Sequence, residues 1–338
     1  MRTPARRPAL VSLLAAAALS TALAGCSSSD SSGDDPATAG SSGTADSRVV
    51  TTDQGDVTVP GDPQRVVVLN YALTGYLYDL GVPVVATVAE DTEHDGEFSE
   101  FWGDAPEEQG TGFLPWSMDG FDHEAILGAE PDLIVAGGVG LPAVLAAEEY
   151  DRLSQIAPTV LVGDGLTTWQ DQFSFLAEDV FDRPEVYEDS LAAYEARVAE
   201  VRDAITPPPT PVATLTITAD RTPYLLFEDM GLSQTLAELG LEPAPLVAGH
   251  GLPPYKPGGD MAELSTEQVG QLLPDVPTVF VTGFNADTAD VASLADEPVY
   301  AALPAFEEQH AYDLPYWAVR GDYDESLALL DIVEQQFS

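Results

Sequence analysis

The chain has 338 residues, with 57 Asp and Glu against 12 Lys and Arg and a formal net charge of −45. This charge excludes nucleic acid as a partner, because phosphate binding requires clustered Lys and Arg. The single cysteine excludes a disulfide framework and any all-thiolate metal site. The length and the 45% hydrophobic content allow two compact domains or one large α/β unit.

The N-terminal segment has the pattern of a targeting signal. Three arginines lie in the first seven residues, and an apolar stretch follows over residues 10–23. The stretch is shorter than the ~20 residues that cross a bilayer, so it predicts a secretory signal peptide over residues 1–25. Cys26 follows Leu-Ala-Gly directly, which resembles the bacterial lipobox and implies a diacylated cysteine that anchors the chain outside the cytoplasm. The alternative is a signal cleaved elsewhere that leaves a free thiol.

A polar tether and then a lobe of alternating strands and helices are predicted after the signal peptide. Residues 26–47 are rich in Ser, Gly, Asp, Thr and Ala and predict a flexible tether. After them, residues 48–182 predict an N-terminal lobe, because short apolar runs alternate with helical patterns and this order is typical of a parallel sheet covered on both faces. The strands are predicted at residues 65–69, 82–88, 133–136 and 159–162, and the helices at residues 73–80, 124–128, 141–156 and 168–181.

A single long helix is predicted over residues 183–206. Its apolar residues recur at spacings of three and four, which places them in one stripe along the helix. Asp182 and Glu185 have capping-box spacing, and Pro184 suits the first turn. The prolines at 207–209 end the helix. The stripe consists of Tyr187, Leu191, Tyr194, Val198, Val201 and Ile205.

The remaining residues, 207–338, repeat the alternation and predict a C-terminal lobe. Strands are predicted at residues 212–218, 278–282 and 310–314, and helices at residues 232–239, 265–272, 289–294, 299–303 and 323–337. The fold class is therefore α/β, with two Rossmann-like lobes joined by one long α-helix. A ligand cleft is expected between the lobes, at the carboxyl ends of the strands.

Several ordered segments carry a family resemblance. The segments are Pro-Gln-Arg-Val-Val-Val-Leu (63–69), Asp-Leu-Gly-Val-Pro-Val-Val (79–85), Glu-Pro-Asp-Leu-Ile-Val (130–135) and Leu-Ser-Thr-Glu-Gln-Val…Leu-Pro-Asp-Val (264–276). Together with the lipobox and the long helix, they resemble the helical-backbone substrate-binding proteins of ABC importers, which carry ferric siderophores, cobalamin, haem or free metal ions. The resemblance implies a monomer that captures a ligand between its lobes and delivers it to an ABC permease and its ATPase.

Residues in loops after the strands are the candidates for ligand binding. Cations among aromatic rings suit a large anionic chelate, so a ferric siderophore is the expected ligand, with no resident cofactor. The alternatives are cobalamin, haem, or a surface interaction protein that does not transport. The candidate residues are Asn70, Tyr71, Trp116, Arg221, Tyr224, Tyr255, Lys256, Phe284, Tyr316, Trp317 and Arg320, whereas Trp102 and Trp169 are expected to be packing residues.

The histidines do not indicate a metal receptor. His94 stands in an acidic segment that looks like a solvated loop, and His123 and His310 lie apart from it. A zinc site needs three or four converging ligands, and members of the family that bind free metal ions carry a His-rich loop that this chain lacks. His250 is the one histidine in a loop expected at the cleft, and an ordinary loop role is favoured over iron coordination.

The resemblance also implies that one carboxylate on each lobe docks on the permease. The matching positions are Glu148 and Glu149 in the N-terminal lobe and Asp287 or Asp290 in the C-terminal lobe. No enzyme is expected, because the chain lacks a Gly-x-Ser-x-Gly elbow and a His-Glu-x-x-His motif. Its single lysine follows a tyrosine, which rules out the Gly-Lys pair of a phosphate-binding loop.

Overall fold

The computed structural model describes residues 47–92, 94–256, 259–285 and 289–338. The predicted signal peptide, Cys26 and the tether through residue 46 lie outside the described residues. Ser47, the last residue assigned to the tether, begins the first strand.

The N-terminal half is built on a five-stranded, fully parallel sheet. A hairpin of β1 (Ser47–Thr52) and β2 (Gly55–Pro60) precedes this sheet. The further strands are β3 (Val66–Val68), β4 (Val84–Val88), β5 (Gly112–Leu114), β6 (Trp116–Ser117), β7 (Gly120–Phe121), β8 (Leu133–Gly137) and β9 (Thr159–Val162). The strand order of the sheet is β5-β4-β3-β8-β9. The central strands β3 and β8 are fully buried and mostly apolar, as expected where helices cover both faces.

The four predicted helices of this half occur in the predicted order with shifted ends, and a short helix at Ala105–Gln109 was not predicted. The predicted helix 141–156 is divided in two, and the predicted helix 168–181 changes to a π-helical turn over Phe175–Val180. Short 3₁₀ helices occur at Tyr71–Leu73 and Glu100–Trp102. The α-helices are α1 (Thr74–Asp79), α2 (Ala105–Gln109), α3 (His123–Gly128), α4 (Leu141–Glu148), α5 (Tyr150–Leu153) and α6 (Trp169–Ser174).

The long helix α7 (Pro184–Ala204) joins the two halves. Its predicted stripe faces the core, because Tyr194, Val201 and Ile205 are buried and the other three residues pack against the core partly exposed. The predicted capping box is wrong. Asp182 adopts a left-handed conformation with φ 55° and pairs with Arg48 at 3.3 Å, so it cannot cap the first turn.

The C-terminal half has a mixed sheet in place of a purely parallel one. The strands are β10 (Val212–Ile217), β11 (Pro223–Leu226), β12 (Met261–Glu263), β13 (Thr278–Gly283) and β14 (Ala311–Asp313). Their order in the sheet is β12-β11-β10-β13-β14, and only β10, β13 and β14 are mutually parallel. The two antiparallel strands β11 and β12 were not predicted, since each is only three or four residues long and they pair across a long loop.

The C-terminal helices pack on this sheet and on α7. A capping box of Ser265 and Gln268 starts the helix at Thr266, and the last helix begins at the predicted residue. A 3₁₀ helix at Tyr316–Arg320 precedes the last helix. The α-helices are α8 (Gly231–Glu238), α9 (Leu246–His250), α10 (Thr266–Leu272), α11 (Val291–Leu294), α12 (Pro298–Ala301), α13 (Pro304–Glu307) and α14 (Tyr323–Phe337).

The two halves meet where α14 begins. Trp102 Nε1–H donates a hydrogen bond to Asp322 Oδ2 at 2.6 Å, and Ser99 Oγ–H donates one to Glu325 Oε1 at 2.8 Å. We call these four residues the lobe junction. The junction and α7 together connect the two halves. Within the described ranges, no helix has the length and apolar composition needed to cross a bilayer.

Candidate functional site

A cleft of about 550 Å³ opens between the two sheets. Three of its loops directly follow strands: Glu90 to Thr92 come after β4, Thr218 to Asp220 after β10, and Phe284 after β13. The cleft therefore lies at the carboxyl ends of the strands, as the α/β pattern predicts. Its volume is within the range of small-molecule sites.

Aromatic rings form much of the cleft wall. Tyr224 packs against Tyr255 with ring centroids 6.2 Å apart and against Phe284 with centroids 6.0 Å apart. Phe284 is 42% exposed, and Met118 on the opposite side is 57% exposed. Large apolar side chains left open on both sides of a cleft indicate a ligand with apolar surface. Trp116 and Tyr316 complete the aromatic part of the wall.

One guanidinium lies in the wall, and it is bound by an acid. Arg320 Nε donates to Asp260 Oδ2 at 2.6 Å and Arg320 Nη2 donates to Asp260 Oδ1 at 3.0 Å. The Asp260 side chain is 8% exposed, so the pair is largely removed from water. A bidentate pair of this kind fixes the guanidinium in one orientation. The N–H groups of Arg320 that Asp260 does not engage are still able to donate hydrogen bonds to a ligand.

The titratable groups near this pair are shifted by burial. Burial raises the pKa of Glu90 to about 7, although the positive charge of Arg320 opposes the shift. Burial also raises the pKa of Tyr255 to about 12, again against the effect of Arg320. Tyr255 is therefore a neutral hydroxyl at neutral pH, whereas Glu90 is partly protonated at that pH.

Six of the eleven predicted ligand residues line the cleft: Trp116, Tyr224, Tyr255, Phe284, Tyr316 and Arg320. The structure places Asn70 and Tyr71 beneath it. The Asn70 amide donates to the carbonyl oxygens of Gly137 and Val139, and the Tyr71 hydroxyl donates to the carbonyl oxygen of Glu97. Both side chains thus join loops of the N-terminal lobe and do not reach the wall.

The other three predicted residues also lie outside the cleft lining. Trp317 packs edge-on against Phe101 with centroids 5.0 Å apart. Arg221 turns away through a left-handed conformation with φ 69° and pairs with Glu297 at 3.2 Å. Lys256 is half-buried beside the wall but does not form part of it. The expected group of three cations is therefore not assembled at the cleft.

Sequence reasoning missed the acidic part of the wall. Glu90, Asp91 and Asp220 line the cleft, and the segment around His94 that looked like a solvated loop supplies two of them. The signal was available, because these residues directly follow predicted strands, as the aromatic candidates do. His250 lies at the end of α9, outside the lining, and Trp102 and Trp169 are buried.

The candidate docking residues lie in different environments. Glu148 is exposed at the end of α4, where it lines a separate cavity of about 440 Å³. The Glu149 carboxylate is 3.3 Å from His123 Nε2 and is only 14% exposed. Asp290 is exposed and caps α11, whereas Asp287 lies outside the described residues. Within those residues, no three His, Cys, Asp or Glu side chains converge as metal ligands.

Comparisons with known proteins agree with this geometry. A sequence profile described as "Periplasmic binding protein" matches residues 66–316. The chain is 28% identical over 298 residues to the ferric enterobactin-binding periplasmic protein FepB of Escherichia coli O6:H1, covering 86% of this chain and 91% of that protein. It is 28% identical over 301 residues to the putative ABC transporter substrate-binding lipoprotein YhfQ of Bacillus subtilis, covering 85% and 87%. The crystal structure of holo-ViuP has the same fold, with a TM-score of 0.73 at 22% identity over 86% of this chain and 95% of that chain.

Proposed function

Because this chain belongs to the periplasmic binding protein family, we propose that it captures a ferric siderophore outside the cytoplasm and presents it to an ABC importer. The cleft between the two sheets carries the proposal. It has room for a chelate of several hundred Å³, and its walls offer aromatic faces, hydroxyls and one fixed guanidinium.

The shape of the cleft suits capture and release without covalent chemistry. The rings of Tyr224, Tyr255 and Phe284 can cover the apolar edges of a chelate, while Arg320 donates hydrogen bonds to its oxygens. By this proposal, the connection through α7 and the lobe junction holds these groups in place before the ligand arrives, and such preorganisation lowers the entropic cost of binding.

The names of two relatives support the ligand and the transport role. FepB is named for binding ferric enterobactin, and YhfQ is named as the substrate-binding lipoprotein of an ABC transporter. Both similarities extend over more than four-fifths of each chain. By this proposal the partners are the permease and ATPase of an importer, and the protein acts as a monomer with the lobes assigned to residues 48–182 and 207–338.

The membrane anchor is the lipid on Cys26. A mature surface with a large excess of acids is repelled by anionic headgroups, so a lipid chain is needed to hold the protein at the membrane. Labelling of cells with a radioactive fatty acid should mark the protein, and Cys26→Ser should abolish the label. Persistence of the label in that variant would show that the anchor lies elsewhere.

A ligand screen by tryptophan fluorescence tests the transport proposal. The mature chain is titrated with a neutral ferric trihydroxamate, a ferric tris-catecholate, cobalamin and haem. We expect saturable quenching by at least one ferric chelate at submicromolar concentration. Quenching by cobalamin or haem alone would show that this compound, and not a ferric siderophore, is the ligand. No quenching by any of the four would favour a surface interaction protein without a transport role.

A further inference from the structure

Resting on the proposed function, we infer that the cleft selects ferric chelates of zero or positive net charge and disfavours anionic ones. The selection arises from three carboxyl groups in the wall, Glu90, Asp91 and Asp220. They face a guanidinium whose charge is already balanced by Asp260. This reverses the charge preference that the sequence suggests.

The three acids approach the cleft from both lobes. Glu90 and Asp91 follow β4 in the N-terminal lobe, and Asp220 follows β10 in the C-terminal lobe. Asp91 pairs with His94 Nδ1 at 3.0 Å, and Asp220 accepts a hydrogen bond from the Thr218 hydroxyl. A ligand between the lobes therefore has negative charge on two sides.

Arg320 offsets these acids only in part. Its two hydrogen bonds to Asp260 form a compact ion pair, and a pair of opposite charges acts at the distance of a ligand as a dipole and not as a net charge. An anionic chelate that approaches Arg320 also approaches Asp260 and Glu90. The guanidinium thus serves as a hydrogen-bond donor more than as a counterion.

The chain has few other cations for this purpose. Three of its twelve Lys and Arg lie in the first seven residues, and of the nine that follow, Arg320 alone lines the cleft in the described part of the chain. The six undescribed residues after 46 are Glu93, Pro257, Gly258, Ala286, Asp287 and Thr288, none of them basic. With Lys256 and a protonated His94 both counted as positive, the cleft still has a net negative charge.

The net charge of a ferric chelate depends on its iron-binding groups, so a charge preference predicts a class of chelate. Three catecholates bring six negative charges to Fe³⁺ and give a complex of net charge −3. Three hydroxamates bring three charges and give a neutral complex, and a pendant ammonium makes it +1. The cleft is therefore suited to hydroxamate-type chelates. Where such a chelate carries an ammonium group, the rings of Tyr224 and Tyr255 can bind it through cation–π contacts.

A matched ligand series tests the inference. A linear ferric trihydroxamate with a free terminal amine, its N-acetyl derivative and its N-succinyl derivative carry +1, 0 and −1 with the same iron-binding groups. At pH 8 and low ionic strength we expect the affinity to fall by about fivefold for each step toward negative charge. We expect added salt to reduce the differences.

The outcomes separate the inference from the proposed function. Equal affinities, or tighter binding of the −1 chelate or of the tris-catecholate, would overturn the inference and leave siderophore capture intact. Failure of every ferric chelate to bind would overturn the proposed function itself.

Two variants test whether the acids of the cleft wall cause the charge selectivity. Glu90→Gln should lower the ratio of the +1 affinity to the −1 affinity by about fivefold. Asp220→Asn, at an exposed position, should act in the same direction and remains informative if the Glu90 variant does not fold. Glu188→Gln on α7, also exposed and outside the cleft lining, changes the overall charge equally and should leave the ratio unchanged. An equal effect in the control would attribute the selectivity to the net charge of the protein.

Discussion

Arg320 in the cleft wall and Asp322 in the lobe junction are only two residues apart in the chain, yet their polar groups lie in opposite environments. Arg320 faces the cleft in an ion pair that keeps donor groups available, whereas Asp322 is 1% exposed and accepts a hydrogen bond from Trp102. The cleft exposes aromatic rings, and the junction buries them. The contrast shows how one short segment can both present a binding group and hold the two lobes together.

The junction acids are stabilised by neutral donors, with no cation at hydrogen-bonding distance among the described residues. Asp322 accepts hydrogen bonds from Trp102 Nε1 and the backbone N–H of Glu325, and Glu325 accepts one from Ser99. Burial raises the pKa of Asp322 to about 7 and the pKa of Glu325 well above its usual range. The junction therefore tends to hold protons, whereas the Arg320–Asp260 pair in the cleft is an ion pair.

A single added methyl group beside the junction should destabilise the protein strongly. A Cβ added at Gly75 would lie 1.7 Å from Asp322 Oδ2 and 2.5 Å from Trp102 Nε1. Both atoms belong to the hydrogen bond that joins the lobes, so they cannot both move aside and remain bonded. We expect Gly75→Ala to lower the free energy of unfolding by about 3 kcal/mol, measured by denaturant titration.

Two other glycines serve as controls for this experiment. Gly128 in α3 has no atom within 4 Å of its added Cβ, so Gly128→Ala should be neutral or slightly stabilising. Gly140, with φ 84°, would place a Cβ 2.6 Å from Arg320 Nε. Gly140→Ala should therefore weaken ligand binding in addition to its cost in stability. If Gly75→Ala lost ligand binding without losing stability, the junction would contribute to binding, and the division of roles between junction and cleft would be contradicted.

The stability of the protein should depend on pH through the protons held at and near the junction. Burial raises the pKa of Asp79 to about 8 and that of Asp324 to about 6. Because these two acids and the two junction acids all have raised pKa values, the folded state binds more protons than the unfolded state between about pH 4 and pH 8. Stability is present at low pH and is lost as the pH rises. We expect the free energy of unfolding to fall by on the order of 2–4 kcal/mol from pH 5 to pH 8.

Asp79→Asn isolates this effect from the general repulsion among the acids. Asp79 Oδ2 is buried without a hydrogen-bond partner among the described residues, so the amide removes a costly charge and breaks no bond to that oxygen. The variant should be more stable than the parent at pH 8 and should show a flatter dependence on pH. Asp189→Asn, exposed on α7, removes the same charge and should leave the slope unchanged. Equal slopes in the parent and in Asp79→Asn would contradict the prediction.

The difference between the regions also explains what the sequence could predict. Four of the five parallel strands of the N-terminal sheet, the parallel strands of the C-terminal sheet and α7 were predicted, because their apolar runs and stripe are local patterns. The short edge strand β5 was not predicted. The antiparallel strands β11 and β12 were missed because the pairing of Leu226 with Met261 joins short segments with no local signal.

The site was predicted at the level of loops and not of side-chain directions. The residues after the strands reach the cleft, but Arg221 is removed by its left-handed backbone and by Glu297, 76 positions later in the chain. The neutralisation of Arg320 likewise depends on Asp260, 60 positions earlier. Such long-range pairs leave no trace in local spacing, so the sequence suggested a basic cleft where the structure has an acidic one.

Trp116 and Trp317 were both predicted to bind the ligand, and they should differ modestly in their contribution to fluorescence quenching. Trp116 lines the cleft, whereas Trp317 packs on Phe101 outside it. A ferric chelate quenches by proximity, so Trp116→Phe should remove the largest share of the ligand-induced fluorescence change, and Trp317→Phe a smaller share. The affinity should change by less than about tenfold in either variant, since each retains an aromatic ring. If the two variants lose equal shares, the ligand lies nearer to the 3₁₀ helix than the cleft geometry indicates.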